Sequence, residues 1–408
     1  MKPVVTKYGR SPWIDQVKKS RVPSYPGYRG TGAADVVVIG GGLTGCATAY
    51  ALSAAGVKVL LLEADRIGRG TTGASAGWLG DEPGVGFADL EKALGQRDAR
   101  RGWHAWHRAG LDFAATLRRL KIKCALEPLG STTAARSLEQ AQRLKREQKA
   151  RRAAGIEAPL LNARAISGEL GFAALAGIRA RDGATIDPYR AAVGLARAAA
   201  QRGAQLFERS PVTRITFSRR DAEVHTAGGR IRTGRVVVAT GAPTALFKGL
   251  RRHFWFRQSY SALTAPVPTK IRHALGRRDA VVRDSADPPH IVRWVDGERL
   301  LVTGADSESP PDRQREKVIV QRTGQLMYEL STLYPEISGI APDYGWDAPY
   351  ARTEDGLPYI GPHRNYPHHL FAFGDSSHTV TGAYLASRIL LRHHLGELDP
   401  ADEVFGFR

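Results

Sequence analysis

The chain has 408 residues, of which 42% are apolar and 24% charged, a balance found in globular proteins and not in disordered ones. This length suits one catalytic domain with a second domain grafted on, and no stretch approaches the roughly 20 uninterrupted apolar residues of a membrane span. The N-terminus lacks the apolar stretch of a signal peptide, so none is expected. Two distant cysteines, Cys46 and Cys124, provide neither a disulfide framework nor metal-ligand spacing. We therefore expect a reduced, cytoplasmic protein.

The net charge is strongly positive, because 59 lysines and arginines face 40 aspartates and glutamates to give +19. Such an excess can attract nucleic acid, an anionic membrane surface or an acidic partner protein. Many of the basic residues fall between Arg97 and Arg152, on sequence with helical spacing. No nucleic-acid motif or interleaved aromatic residues accompany them, so nucleic-acid binding is not expected. A solvated helix face is the simplest interpretation, and an acidic partner is the alternative.

The first predicted elements form a βαβ unit behind an irregular arm. Residues 1–33 are rich in Pro, Gly, Tyr and Arg and predict a loop that packs on the rest of the protein. A buried strand is then predicted at 35–39, a helix at 43–55 that ends at Gly56, and a second buried strand at 57–62. Strand, helix and strand in this order are typical of a nucleotide-binding fold.

The rest of the chain predicts helices separated by short strands. Helical spacing is found over five segments, 88–120, 138–154, 189–202, 314–333 and 382–394. Asp187-Pro188 is a start signal for the third of these helices. Short strands are predicted near 212–217 and 236–239. Antiparallel strands are expected between 255 and 305, where Asp296-Gly297 indicates a hairpin turn.

The strongest local signal is the glycine-rich turn after the first strand, because it also opens a helix. Gly40 makes the tight turn, Gly42 lets the backbone approach a pyrophosphate, and Gly45 lets the helix press on the sheet. Free N–H groups at the helix start, near Leu43 and Thr44, would face the phosphates. The pattern predicts a dinucleotide site.

Glu63, at the end of the second strand, completes this pattern. Its carboxylate can accept hydrogen bonds from a ribose diol, and its charge disfavours a 2′-phosphate. NAD and FAD share these features. The small-residue stretch at 66–77 favours FAD, because a backbone without bulky side chains can lie along an extended cofactor.

Five blocks of the sequence together resemble the FAD-dependent D-amino-acid oxidase family, in its glycine oxidase, sarcosine oxidase and γ-glutamylputrescine oxidase branch. The resemblance covers nearly the whole chain from Ala34 onward. The blocks are the glycine fingerprint, Glu63-Ala64 with the small-residue stretch, 186–189, 236–242, and 355–361 followed by 371–374. This resemblance implies an α/β fold with a Rossmann-like, glutathione-reductase-like FAD-binding domain and a substrate domain built on a mixed or antiparallel sheet.

The same resemblance implies how the domains divide the chain. The N-terminal arm is expected at 1–33, and the C-terminal tail at 396–408. The FAD-binding domain is expected to be discontinuous, and the substrate domain to be inserted into it. The predicted segments are 34–86, 185–250 and 345–395 for FAD binding, and 87–184 and 251–344 for the substrate domain.

The resemblance also implies which residues hold FAD. Val212 is expected to contact the adenine end through its backbone, and Ala239, Thr240 and Gly241 to touch the cofactor. The loop before the last helix is expected to cover the pyrimidine side of the flavin ring. The remaining assigned positions are Ala64, Thr72, Ala74, Ser75, Gly374, Ser377, His378, Thr379, Val380 and Thr381. No cysteine stands at the position of a flavin thioether, so non-covalent FAD is expected.

The reaction implied is oxidation of the C–N bond of an amine or amino acid, with hydride transfer to flavin N5 and hydrolysis of the imine. Amino-acid oxidases of the family hold the substrate carboxylate with an arginine at the position of Tyr350. Arg352 lies two residues later, on the same face of an extended strand. It can be the carboxylate anchor or a cation at the rim of the site, and both alternatives stay open. His378 is either catalytic or a hydrogen-bonded structural residue.

The electron acceptor is open as well. Sarcosine oxidases of the family carry an oxygen-activating lysine on the strand predicted at 300–304, where this chain has Leu301 and Val302. A dehydrogenase that passes electrons to a carrier or quinone is therefore an alternative to an oxidase, and an electron-accepting partner protein belongs to that alternative. A low-turnover flavin-binding subunit is another, because Ser377 and Thr379 stand where relatives usually have glycine.

Three further polar residues have weaker assignments. Glu82 could receive a cationic amine or lie in a surface loop. His104 and His107 lie three apart on a predicted helix, but no third ligand is visible, so no metal site is expected.

Overall fold

The computed structural model describes residues 5–286, 288–374 and 379–408. The strands, in chain order, are β1 (Lys7–Tyr8), β2 (Gly30–Ile39), β3 (Val59–Leu62), β4 (Trp78–Leu79), β5 (Glu127–Pro128), β6 (Gly130–Ala135), β7 (Leu160–Asn162), β8 (Ala176–Ala180), β9 (Ala184–Thr185), β10 (Gln205–Phe207), β11 (Val212–Phe217), β12 (Ala222–Thr226), β13 (Gly229–Gly241), β14 (Trp255–Thr264), β15 (Ala280–Asp284), β16 (Ile291–Val295), β17 (Arg299–Ser307), β18 (Pro342–Arg352), β19 (Tyr359–His363) and β20 (Tyr366–Phe373).

Helices connect these strands. The α-helices are α1 (Pro12–Asp15), α2 (Leu43–Ala54), α3 (Thr71–Ala74), α4 (Phe87–Leu94), α5 (Gln96–Arg119), α6 (Leu138–Ala153), α7 (Ala163–Leu170), α8 (Pro188–Gln201), α9 (Thr269–Arg272), α10 (Arg315–Leu333) and α11 (Thr381–Leu395). Short 3-10 helices lie at Lys19–Arg21, Ala245–His253, Asp312–Gln314, Pro335–Ile337 and Asp402–Phe405. No α-helix in these described ranges combines the length and the apolar character needed to cross a membrane.

The first large sheet, called here the nucleotide sheet, has a parallel core in the order β10-β3-β2-β13-β20. The β11–β12 hairpin extends the first half of β13, and β19 pairs antiparallel with β20. Helix α2 is buried on nearly all sides between this sheet and helices α8 and α11. Because parallel strands run in one direction, the carboxyl ends of β3, β2, β13 and β20 meet at one edge of the sheet.

The second large sheet, called here the substrate sheet, has nine strands in the order β1-β18-β14-β17-β16-β15-β6-β8-β7. Most neighbours are antiparallel, whereas β1 with β18 and β15 with β6 are parallel. Helix α10 covers one face of β14, β17 and β18. The predicted turn between β16 and β17 is confirmed: Asp296 and Gly297 have φ of +53° and +66°, as a type I′ hairpin turn requires. The two sheets confirm the predicted fold class.

Several predicted boundaries differ from the observed ones. The helix predicted over 88–120 is broken at Gly95, whose φ of +79° lies in the left-handed region and ends α4 before α5 begins. Strand β2 starts at Gly30, inside the predicted arm, because Gly30 to Ala34 pair with the first half of β13. The start signal of α8 is confirmed, since the Asp187 side chain accepts a hydrogen bond from the Arg190 N–H (2.9 Å).

The division into domains stays a prediction. The strand pairing favours one change to it, because β18 is hydrogen-bonded throughout to β14 within the substrate sheet. A boundary after Arg352 therefore keeps this strand with the sheet to which it belongs, in place of the boundary predicted at 345.

Candidate functional site

The turn between β2 and α2 is built on three glycines, of which Gly40 and Gly45 leave no room for a side chain. Gly40 has a φ of +107°, and a Cβ there would lie 2.6 Å from the carbonyl oxygen of Ala239. A Cβ at Gly45 would overlap the carbonyl oxygen of Gly40, so the helix rests directly on the turn. At Gly42, the N-cap of α2, a Cβ would stand 3.1 Å from Thr72 Oγ1. The result is a bare backbone surface at the edge of the nucleotide sheet.

Backbone donors at this turn already face polar side chains. The Gly41 N–H donates to Glu63 Oε2 (2.6 Å), and the Leu43 N–H donates to Thr72 Oγ1 (2.8 Å). The N–H groups of the first turn of a helix have no partner within the helix, Thr44 included. Glu63 Oε1 also accepts from the Asp65 N–H (2.8 Å), which holds the carboxylate beside the turn. The helix start can thus bind phosphate, and Glu63 stands where a ribose would follow.

The segment from Ala64 to Gly77 is held in place by side chains from distant parts of the chain. Three successive carbonyl oxygens each accept one N–H: that of Ala74 from Trp346 Nε1 (2.8 Å), that of Ser75 from Trp13 Nε1 (2.9 Å) and that of Ala76 from Arg293 Nε (2.7 Å). Sequence reasoning did not predict this role for any of the three side chains. The two indoles and the guanidinium position the predicted cofactor-facing backbone.

The other predicted cofactor residues lie along the same edge. Val212 follows Ser210, whose N–H donates to the Glu63 carbonyl (2.9 Å), so it lies at the Glu63 end. Ala239, Thr240 and Gly241 end β13 beside Gly40, and the Gly374 N–H donates to the Gly241 carbonyl (3.0 Å). The predicted positions Ser377 and His378 lie outside the described residues.

The start of α11 is tied to β4. The Val380 N–H donates to the Trp78 carbonyl (2.8 Å), the Gly80 N–H donates to Thr379 Oγ1 (3.2 Å), and Thr381 Oγ1 donates to the Gly80 carbonyl (2.6 Å). These bonds bring the predicted flavin-side loop against the segment that follows the small-residue stretch. The fold thus gathers the described cofactor positions into one crevice, and the glycine cradle with its free helix N–H groups fits FAD.

The two predicted catalytic residues on β18 share a face of the substrate sheet. Side chains alternate along a strand, so Tyr350 and Arg352 lie on the side of Trp346, which contacts the small-residue stretch. Tyr350 is half-buried and donates its hydroxyl hydrogen to Asp306 Oδ2 (2.5 Å). Burial, with the negative charge of Asp306, raises the pKa of the Tyr350 phenol, so it stays protonated at neutral pH. Arg352 is exposed at the rim of this face.

Two further charged residues join this face, and sequence reasoning missed both. Arg257 on β14 stands directly opposite Tyr350 and is half-buried. The sequence predicted the strand that carries Arg257. Because side chains alternate along a strand, Arg257 and Ser259 could have been assigned to one face from the sequence. Asp306 reaches the face only because β17 has a bulge: Tyr260 pairs with Gly304 but Gln258 with Ser307, and the extra residue, Ala305, has a φ of +52°. No sequence signal marks that bulge.

Among the described residues, no lysine lies on this face of β14, β17 and β18. Ser261 Oγ donates to Thr303 Oγ1 (3.1 Å), and the buried Ser259 hydroxyl has no hydrogen-bond partner among the described residues. At the position that corresponds to the lysine, Leu301 packs with Trp13, whereas Val302 packs on the opposite face under α10. The position expected to activate oxygen in sarcosine oxidases thus carries no lysine, and the buried cation that stands opposite Leu301, Arg293 on β16, donates to the Ala76 carbonyl.

Glu82 is neither an open amine receptor nor a surface carboxylate. It is buried and forms a two-point ion pair with Arg151, whose Nε also donates to Glu147 Oε1 (2.6 Å). Arg151 lies over the Trp103 ring at 4.5 Å. Asp81 precedes Glu82 in the chain. Burial and the charge of Glu82 raise the pKa of Asp81 to about 8, which keeps the Asp81 carboxyl protonated at neutral pH. This network is structural support behind the crevice.

Comparison with known proteins decides the family. The sequence profile described as FAD dependent oxidoreductase matches residues 35–392. The chain belongs to this FAD-dependent oxidoreductase family. It is 27% identical over 371 residues to the probable oxidoreductase OrdL of Haemophilus influenzae, covering 89% of this chain and 83% of that protein. It is also 27% identical over 374 residues to the γ-glutamylputrescine oxidoreductase of Escherichia coli, covering 90% and 85% of the two chains.

A solved structure of a glycine oxidase shares the fold of this chain. The crystal structure of glycine oxidase from Geobacillus kaustophilus superposes with a TM-score of 0.74 at 22% identity, covering 90% of this chain and 96% of that one. The family predicted from the sequence is confirmed, and so are its fold class and FAD as the cofactor. The protein is an FAD-dependent oxidoreductase of a family that acts on amines or amino acids. The roles of individual site residues stay predictions.

Replacing Glu63 with alanine should weaken FAD binding by about 1–3 kcal/mol, because ribose hydroxyls lose a charged acceptor. The measurement is the dissociation constant of FAD by fluorescence titration of the apoprotein, and acid should release free FAD from the yellow wild-type protein. Asp65→Ala is the matched control, since Asp65 is the exposed neighbour and contributes only its backbone N–H. Equal losses in both variants would contradict the assignment of Glu63.

Proposed function

We propose that this enzyme oxidises the α C–N bond of an amino acid or N-alkyl amino acid and passes the electrons to an acceptor other than oxygen. The observation that carries the proposal is the pair Arg257 and Arg352 on either side of Tyr350, on the sheet face that leads to the cofactor crevice. Guanidinium groups suit a carboxylate because they can donate two parallel hydrogen bonds to it.

Bound FAD supplies the acceptor for the hydride from the α carbon, and the imine product is then hydrolysed. The chain's own residues bind and orient the substrate. The arginine pair would hold the carboxylate, and Tyr350, fixed by its hydrogen bond to Asp306, would limit how the substrate lies between them. Because the phenol stays protonated, Tyr350 acts here as a positioning group and not as a base.

A second candidate substrate class is supported by Asp306. Its carboxylate lies on the same face as the arginines, and a cationic amine could bind to it. A polyamine-like substrate would then resemble that of the γ-glutamylputrescine oxidoreductase relative. We favour the carboxylate-bearing substrate, because two cations flank Tyr350 and the protein carries a net charge of +19, which repels polycations.

The proposal is tested by anaerobic bleaching of the flavin, followed by readmission of air. Amino acids and N-methyl amino acids should bleach the flavin, whereas their decarboxylated amines should bleach it more slowly. In stopped flow, reoxidation by air should be slower than reoxidation by an artificial dye, since no lysine stands at Leu301 to stabilise developing superoxide and the opposite cation, Arg293, is bound to the Ala76 carbonyl. Bleaching by amines and not by amino acids would contradict the carboxylate-bearing substrate and favour the amine alternative. Air reoxidation as fast as dye reoxidation would establish a plain oxidase.

A further inference from the structure

A large groove lies between α5 and α11, away from the substrate sheet. Its volume is about 1100 Å³. Six arginines line it: Arg97, Arg100, Arg101, Arg108, Arg388 and Arg392. The sequence favoured a solvated helix face for the basic segment that starts at Arg97. The fold instead sets part of that segment against arginines from the last helix, so the positive charge is concentrated in one concave surface.

Only part of this charge is neutralised by the protein itself. Arg101 lies 3.4 Å from Asp98, Arg108 lies 3.5 Å from Asp112, and Arg392 is bound by Asp402. By contrast Arg97, Arg100 and Arg388 are exposed and form no ion pair within the part of the chain that the structure describes. Solvated arginines normally occur beside acidic residues of opposite sign, and three uncompensated ones in one groove indicate an anionic partner.

The shape of the charged surface indicates an extended partner and not a small anion. Arg97 and Arg108 are eleven residues apart on α5, which is about 16 Å along the helix axis at 1.5 Å per residue. A single phosphate or carboxylate cannot contact both ends. The exposed apolar side chain of Leu111 (46%) continues the same face of α5 one turn beyond Arg108. Arginine is one of the residues enriched in protein–protein interfaces, so an arginine strip of this length suits a protein partner.

The groove also adjoins the cofactor crevice. Helix α11 starts at Thr381, whose hydroxyl binds the Gly80 carbonyl, and Trp106 Nε1 of α5 donates to that same carbonyl (3.3 Å). Tyr384, one helical turn after Thr381, already lines the groove. A partner in the groove would therefore be separated from the flavin-side loop by about one turn of α11.

We infer that this groove docks the acidic surface of an electron-accepting protein. The inference rests on the proposed function in one respect, that the electrons leave to an acceptor other than oxygen. Each turnover leaves two electrons on the cofactor. Two molecules of a one-electron carrier would take them in turn, and one proton would pass to solvent as oxidised FAD is restored. The acidic surface of the carrier would be attracted by Arg97, Arg100 and Arg388.

The test measures the oxidative half-reaction alone, so it does not depend on the substrate. The flavin is reduced photochemically and mixed in stopped flow with ferricyanide, a trianion, or with hexaammineruthenium(III), a trication. The groove variant is Arg97→Glu/Arg100→Glu/Arg388→Glu. Its matched control, Arg214→Glu/Arg219→Glu/Arg220→Glu, makes the same charge change at the exposed β11–β12 hairpin. FAD content and thermal unfolding show whether each variant is folded.

At low ionic strength the groove variant should react with ferricyanide about 10-fold more slowly than wild type, and the control less than about 3-fold more slowly. With the trication the order should reverse, and both differences should vanish at about 0.5 M salt. Equal changes in the two variants would show an effect of net charge alone and would overturn the groove assignment.

Binding is tested with fluorescent decaglutamate. The peptide should bind wild type and the control variant, lose about 10-fold in affinity for the groove variant, and inhibit reoxidation by ferricyanide. A decamer of single-stranded RNA serves as the alternative polyanion. If the RNA binds the groove and the peptide does not, the groove is a nucleic-acid surface and the inference is wrong. If neither probe distinguishes the two variants, no acidic protein docks there.

Discussion

Replacing both Arg257 and Arg352 with alanine should lower kcat/KM for carboxylate-bearing substrates by an amount equal to about 2–5 kcal/mol of transition-state stabilisation, because the double change removes both positive partners of the substrate carboxylate. Each single variant should lose less, since the other arginine remains beside Tyr350. The losses should therefore not add, as is usual for two groups that bind one ligand. Steady-state kinetics on a matched pair, an N-methyl amino acid and its decarboxylated amine, gives the change in kcat/KM for each substrate.

The amine of that pair should be almost unaffected by the double change. Arg252→Ala is the control, because Arg252 is exposed and precedes the same strand. Asp306→Asn separates the two substrate classes further: it should affect the amine more than the amino acid if Asp306 receives a cation. Equal losses on both substrates in the arginine variants would refute the carboxylate anchor, and a loss confined to the amine in Asp306→Asn would establish the polyamine-like alternative.

Replacing Arg151 with methionine should destabilise the protein by about 3–5 kcal/mol, because it leaves the buried carboxylate of Glu147 without its cation and Glu82 with only Arg283 at 3.8 Å. The expected cost includes the Trp103 ring contact of the guanidinium. Glu147 also accepts the N–H groups of Phe87 and Ala88 (2.7 and 2.9 Å), so the start of α4 should loosen with it. Urea unfolding followed by tryptophan fluorescence measures the change.

Arg152→Met is the matched control, since Arg152 is the exposed neighbour on the same helix turn and should change stability by less than about 0.5 kcal/mol. Glu147→Gln, combined with Arg151→Met, should recover part of the lost stability, because Glu82 keeps Arg283 at 3.8 Å and no buried carboxylate is then left without a cation. If the single variant unfolds like wild type, the ion network does not stabilise the fold. If the double variant is less stable than the single one, unpaired charge is not the cause of the loss.

The nucleotide site was predictable because its determinants are local. Gly40, Gly42 and Gly45 stand within one turn between a strand and a helix, where Gly40 has a positive φ and Gly45 touches the Gly40 carbonyl five residues earlier. The βαβ order follows from apolar periodicity, and the family follows from short blocks that keep their spacing. FAD, the fold class and the enzyme class could therefore be predicted before any contact was known.

The substrate side was predictable only in part. The same-face relation of Tyr350 and Arg352 follows from strand alternation, which is again local. Arg257 joins them through the register between β14 and β18, and Asp306 joins them through a one-residue bulge that changes which side chains of β17 face inward. Register and bulges are set by long-range pairing and packing, so the charge balance of the substrate site was decided by the tertiary structure.

The sequence by itself determined the dinucleotide turn, the family and the excess of positive charge. The tertiary structure decided where that charge acts: Arg97 and Arg388 are far apart in the chain, yet α5 and α11 pack together and bring both into one groove. It also decided that Trp13, from the arm, holds the backbone of Ser75. Periodicity shows which residues share a face of one element, but which elements meet depends on contacts across the whole chain.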